Sequence, residues 1–246
     1  MVPPRETTAI PPLPTPEELR ERLETLRGVR GFLLPHHGAM AAFAPDLHTA
    51  YNQMYAALTL TDRHLSPIEK ETVWLAILIA VREGIGTHHV DLFRKHGGTT
   101  AQANAVIQLT GYASAATAFA FVDQHWAAEF PGLDGHTGYL DGMRRLCADA
   151  LDPALGNLAL AAVHAALGQD WGVAAHIRAA YADGISEDKL AEAISLIIWP
   201  CGVNRFVEAC TVWHELMHAG RVTPSARYQA WADMPGQGAF ASARPA

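Results

Sequence analysis

Histidine is the residue type in this chain best suited to chemistry. Thirteen occur in 246 residues, and an imidazole with an ordinary pKa near 6.5 can give or take a proton near neutral pH. His89 and His176 lie 87 positions apart, and the same offset carries Gly97 onto Gly184, Tyr112 onto Trp199, Phe119 onto Phe206 and Trp126 onto Trp213. His88 sits beside His89, and His36-His37-Gly38 forms a second pair upstream, which reads either as a segment folding over a pocket mouth or as a polar loop. A further two histidines stand in His214-Glu-Leu-Met-His218, which fits the HExxH zinc-hydrolase pattern and puts both rings on one helix face. No His or Glu follows His218, so a third downstream ligand is limited to Asp233, and no resident metal is expected. Cys147, Cys201 and Cys210 form no Cys-x2-Cys pair and are odd in number, which argues against a disulfide framework.

These residues must be held by helices. Thr15-Pro16, Ser66-Pro67 and Asp152-Pro153 each place a capping side chain before a proline, and Ser186 with Glu187 and Asp188 opens a further helix toward Trp199-Pro200. Strand-like alternation of any length is absent and alanine is abundant, so the chain reads as all-α. Upstream of the histidines the repeat offset becomes 86, pairing Ser66-Pro67 with Asp152-Pro153. Each copy reads as a long apolar helix, a short helix carrying His, a Gly turn and two more helices. The expected organisation is a Pro-rich extended arm over 1–15, N-terminal helices with a first repeat over 16–135, a second repeat over 136–220 and a loose tail over 221–246. Two such helical units pack about a pseudo-two-fold, with ligands held where they meet.

Composition narrows the partners. Eighteen Lys and Arg against 25 Asp and Glu give a net charge of −7, and no basic run exists to bind nucleic acid or an anionic membrane. The apolar run Val73–Val81 is half a bilayer span, and the proline-broken N-terminus lacks a signal-peptide core. A cytoplasmic protein acting on a small molecule is expected.

At these residues the sequence resembles the carboxymuconolactone decarboxylase and alkylhydroperoxidase-like superfamily. The first copy, LSPIEKETVWLAILIAVREGIGTHHVDLFRKHG, is similar to the family's Leu-Ser-Pro helix and His helix. In the second copy His176, Ala180, Gly184, Glu187, Glu192, Gly202 and Ala209 fall at the family spacing. The resemblance implies an all-α fold of two tandem repeats and a homo-oligomer, a trimer or hexamer. Peroxidase members place Cys-x2-Cys four residues before the His; here those positions are Arg82 and Ile85, and Gln169 and Gly172. Without those thiols the redox cycle has no nucleophile.

What the resemblance leaves is the decarboxylase branch, with neither metal nor organic cofactor. Removing CO2 from a carboxylated lactone needs an acid to reprotonate carbon and groups that orient the carboxylate. Glu71 takes the place of the family's Glu and is expected to orient or protonate His89. Asn157 replaces that Glu in the second copy, where His176 with Glu192 is the expected surviving pair. His88, Glu83, Tyr112, Trp199 and His37 are expected to bind substrate. The alternatives are an isomerase or hydrolase using the same residues, and a non-catalytic oligomeric binding protein that lost the redox cysteines.

Overall fold

A proline at the first turn after a residue whose side chain caps the helix starts three of the helices among the described residues, at Thr15-Pro16, Ser66-Pro67 and Asp152-Pro153, as the sequence grammar requires. The computed structural model describes residues 12–237, so most of the arm expected over 1–15 lies outside the described residues. Among the described residues there is no strand. The chain divides at Thr61 and Asp62 into two units, each with its own packing.

The first unit carries α1 (Pro16–Arg30), α2 (Pro35–Phe43) and α3 (Pro45–Tyr55), the last running into a π-helical turn over Ala56–Leu60. Thr15 and Glu18 form a reciprocal capping box on α1, closing two backbone donors that the helix start leaves open. Arg30 organises the interior of this unit. Its guanidinium lies 4.1 Å over the Tyr55 ring and reaches His37 Nε2 at 3.2 Å.

In the second unit, α4 (Pro67–Val81), α5 (Thr87–Lys95), α6 (Thr100–Ala113) and α7 (Ala116–His125) are followed by α8 (Gly135–Cys147), α9 (Pro153–Leu167) and α10 (Asp170–Ala182). Then come α11 (Glu187–Ser195), the short α12 (Ile198–Cys201), α13 (Val203–His218) and α14 (Ala226–Ala232). Ser66 and Glu69 cap α4 reciprocally, while Asp152 accepts from Ala154 N at 2.9 Å to start α9. Residues 70–77 of α4 and 156–166 of α9 are all buried. A helix apolar all round belongs in a core, and these two pack against each other at its centre. Close approach of α8 to α9 depends on a small residue: a Cβ on Gly156 would run into Cys147 Sγ and Met143 Sδ.

Local features of α4 and α5 recur in α9 and α10. Both α4 and α9 have 15 residues and end on a left-handed residue, Arg82 (φ 58°, ψ 38°) and Gly168 (φ 65°, ψ 40°). Glycine takes this conformation freely, whereas an L side chain pays roughly 1–2 kcal/mol for it. The His helices α5 and α10 follow, and each leads to a left-handed glycine, Gly97 or Gly184.

Two features depart from expectation. The stretch Thr100–His125 has the length and mean hydropathy (1.4) of a membrane span, although Val73–Val81 drew attention in the sequence. It breaks at Ser114–Ala115 into α6 and α7, and α6 buries Val106, Leu109 and Ala113 in the core. The segment expected as a loose tail forms α14. Ser225 N donates to Glu187 Oε1 (3.0 Å), Arg227 pairs with Asp188, and the Tyr228 ring stacks on Trp213 at 5.3 Å. Partners on α11 and α13 supply the stability that the short sequence lacks alone.

Candidate functional site

The first half builds a buried acid–imidazole pair. Glu71 stands on the second turn of α4, and His89 on the first turn of α5. His89 Nδ1 meets Glu71 Oε2 at 2.7 Å, with the two residues 3% and 6% exposed. The Trp74 indole, one turn along α4 from Glu71, stacks on the imidazole at 4.3 Å and 19°. Carboxylate and ring face thus fix the imidazole in both orientation and tautomer. Nδ1 carries the hydrogen toward Glu71, and Nε2 takes no partner among the described residues. The His88 ring lies 4.1 Å from that of His89, tilted by 39°.

The second half holds its histidine differently. His176 is fully buried, and its Nδ1 meets Asn157 Oδ1 at 2.7 Å while Asn157 Nδ2 donates to the His176 carbonyl at 3.0 Å. The pair expected between His176 and Glu192 is therefore corrected: an amide with both a donor and an acceptor engages the ring's Nδ1 and the backbone carbonyl at once. Glu192 Oε2 instead accepts from His64 N (2.6 Å) and Leu65 N (2.8 Å), fixing the strand of chain that enters α4. Around His176 lie residues the sequence reading missed. His164 stacks on it at 5.2 Å, and Tyr139 meets it edge-on at 5.6 Å. Tyr139 donates its hydroxyl to His164 Nε2 at 2.7 Å, and His164 Nδ1–H donates to Gln169 Oε1 at 2.7 Å. The only sequence signal for this network is its polar members on otherwise apolar helix faces.

Burial decides the charge of these rings. It pushes His164 down to about 4 against a smaller opposing effect of Gln169. It holds His176 well below the ordinary histidine range, helped by neighbouring His164 and His136. Both stay neutral at physiological pH, and His176 Nε2 is sealed without a partner.

The remaining expected residues scatter. Glu83 is exposed in the turn after α4, where its Oε1 accepts from Ile85 N at 2.7 Å. Tyr112 stacks on Tyr139 at 5.0 Å and donates to its carbonyl at 3.3 Å, which makes it core packing rather than pocket wall. Trp199 is half-buried on α12. His37 belongs to the N-terminal unit, where burial first, then His36, Arg30 and His48, lowers it to about 4. In the HELMH stretch, His214 Nε2 is engaged by the Ala232 carbonyl at 3.2 Å. Among the described residues no three His, Cys, Asp or Glu side chains converge as metal ligands.

Residues 134–215 match the model of the carboxymuconolactone decarboxylase family. The match spans α8 to α13 and includes Asn157, His176 and Glu192; Glu71 and His89 lie outside it. No curated protein and no solved structure matches the chain.

Proposed function

We propose, from the family assignment of residues 134–215, that the chain is a cofactor-independent carboxy-lyase acting on a small carboxylated or lactone-like substrate. The two halves are read as tandem repeats, and the working one is the first. The observation that carries this reading is the buried 2.7 Å contact between His89 Nδ1 and Glu71, which leaves Nε2 as the ring's one unengaged nitrogen. His176 is sealed, neutral and held by an amide, which suits it to packing.

In the proposed reaction the substrate carboxylate departs as CO2. Its bonding pair passes into the conjugated carbonyl, and His89 delivers a proton from Nε2 to the resulting enolate carbon. Glu71 stabilises the imidazolium before transfer and fixes the tautomer after it; solvent then restores the proton. His89→Gln should lower turnover by roughly 10²–10⁴, the range general acid–base catalysis supplies. Glu71→Gln should cost less and shift the pH profile, because an amide orients the ring without stabilising its cation. The experiment is a pH–rate profile of both variants on a carboxy-lactone, with circular dichroism to verify folding and a chelator control that should leave the rate unchanged. Wild-type turnover by His89→Gln would overturn the reading.

The same proposal includes a homo-oligomer. Ile107, Phe121, Trp126, Phe130 and Leu133 are all exposed, and the Phe121, Trp126 and Phe130 rings form one contiguous aromatic run. A second copy of the chain is the occupant this apolar face suits best.

A further inference from the structure

A cleft of about 330 Å³ opens on the two helices that carry the Glu71–His89 pair. Leu75, which follows Trp74 directly, Leu78 and Ile79 form its α4 wall, and Val90, next to His89, faces it from α5. Its charged lining consists of Arg82 and Glu83. Glu83 is turned back on its own loop by the bond from Ile85 N. Arg82 has no ion pair or side-chain hydrogen bond among the described residues, so its guanidinium stands unpaired at the edge of an apolar surface.

Backbone conformation makes this arginine informative. It sits in the left-handed region (φ 58°), where the corresponding end of α9 has Gly168. Beside Gly168 a guanidinium is also present, from Arg205, but that one is paired with Glu208 at 2.8 Å. The first half therefore keeps an unpaired arginine in a conformation that a glycine would hold with less strain. Strain of this kind persists where the side chain serves a purpose.

We infer that Arg82 is a specificity-determining residue and that the cleft takes an amphipathic monocarboxylate, its apolar body on Leu75, Leu78, Ile79 and Val90 and its carboxylate on the Arg82 guanidinium. The inference rests on the proposed lyase reading for which group reacts beyond the cleft, and on the cleft itself for binding. A planar guanidinium recognises a carboxylate in two-pronged fashion, and the neutral analogue leaves it unpaired.

Calorimetric titration with hexanoate, hexan-1-ol and acetate tests this on the full chain. Hexanoate should bind at least tenfold more tightly than either of the others. Arg82→Gly should raise Tm by ~2–4 °C by relieving the left-handed strain, while weakening hexanoate at least tenfold and leaving hexan-1-ol unchanged. Glu83→Gln should tighten hexanoate. Equal affinity for the acid and the alcohol, no heat from either, or an unaltered hexanoate affinity in Arg82→Gly would overturn the inference. His89→Gln separates the two readings: it should bind hexanoate as the wild type does. If it does so and also retains carboxy-lactone turnover, the lyase reading fails and the cleft assignment stands.

Discussion

Acid should unfold this protein through its buried histidines, and His164 gives the effect a size. The perturbation is a fall in pH from 7 to 5. In the folded chain burial holds His164 at about 4, against an ordinary value of 6.5. The folded pKa is depressed, so the unfolded chain binds the proton first. The stability involved is complete above about 6.5 and drains away as pH falls toward 4. At 1.36 kcal/mol per pKa unit, the full loss from this one ring is about 3 kcal/mol. Total stabilities are about 5–15 kcal/mol. His176, also held well below the ordinary histidine range by burial, adds the same sign, and His164 alone contributes about 1 kcal/mol per pH unit between pH 6 and 5. His136 and, in the N-terminal unit, His36, His37 and His48 are also lowered and act in the same direction. The lowered carboxylates of Glu69 and Asp188 titrate below their ordinary 4.5 and 3.8, outside this window. Urea unfolding followed by far-ultraviolet circular dichroism at pH 7, 6, 5.5 and 5, on wild type and His164→Phe, isolates the ring. The variant loses the Tyr139 and Gln169 bonds and starts lower, but its slope with pH should be shallower by about 1 kcal/mol per unit. Equal slopes for the two proteins, or a wild type whose stability does not change from pH 6.5 to 5, would refute the argument.

Gly172→Cys puts a thiol at one of the two positions where peroxidase members of the superfamily that the sequence resembles carry one, yet its Cβ would clash with the His164 ring. It should destabilise by about 1–3 kcal/mol through overpacking and give no peroxide consumption with dithiothreitol as reductant. Changing Cys201 and Cys210 together to Ser should leave carboxy-lactone turnover within a few-fold, since burial raises both thiols, Cys210 to about 11. A loss above tenfold with an intact dichroism spectrum would show the chemistry to be misplaced. Light scattering at micromolar concentration should give a multiple of 26.5 kDa, and Trp126→Glu should shift it toward the monomer.

Helix starts were legible because they are written locally: Ser66-Pro67 with Glu69 and Asp152-Pro153 hold the capping chemistry within four residues. The Glu71–His89 contact was legible because the resemblance supplied a pairing across two helices that spacing alone does not fix. The His176 partner was not. Asn157 stands where Glu71 does in the first half, but only the packing of α9 on α10 reveals that its amide takes over the ring. The Tyr139–His164–Gln169 chain stayed hidden for the same reason: Tyr139 and His164 lie 25 positions apart on separate helices. The helix α14 was missed because its stability comes from Asp188, Glu187 and Trp213 rather than from its own seven residues.

The difference between the two histidine sites follows from one exchange of residue type. In the first site a carboxylate faces the imidazole: Glu71 Oε2 meets His89 Nδ1 at 2.7 Å and offers acceptors only. An amide carries no charge and holds both a donor and an acceptor, so Asn157 bonds to both the Nδ1 and the backbone carbonyl of His176. Once the charge is gone, aromatic rings can close over the site: His164 and Tyr139 pack on His176, and Gly172 leaves room for the His164 ring. In the first half Leu78 stands where the repeat offset places His164 in the second, and Leu78 lines an open cleft instead of capping a histidine. Arg82 and Gly168 extend the contrast to the helix ends, a left-handed arginine lining the cleft and a left-handed glycine after α9. The cleft and its arginine thus lie on the two helices that carry the Glu71–His89 pair, while α9 and α10 bury their histidine in core packing.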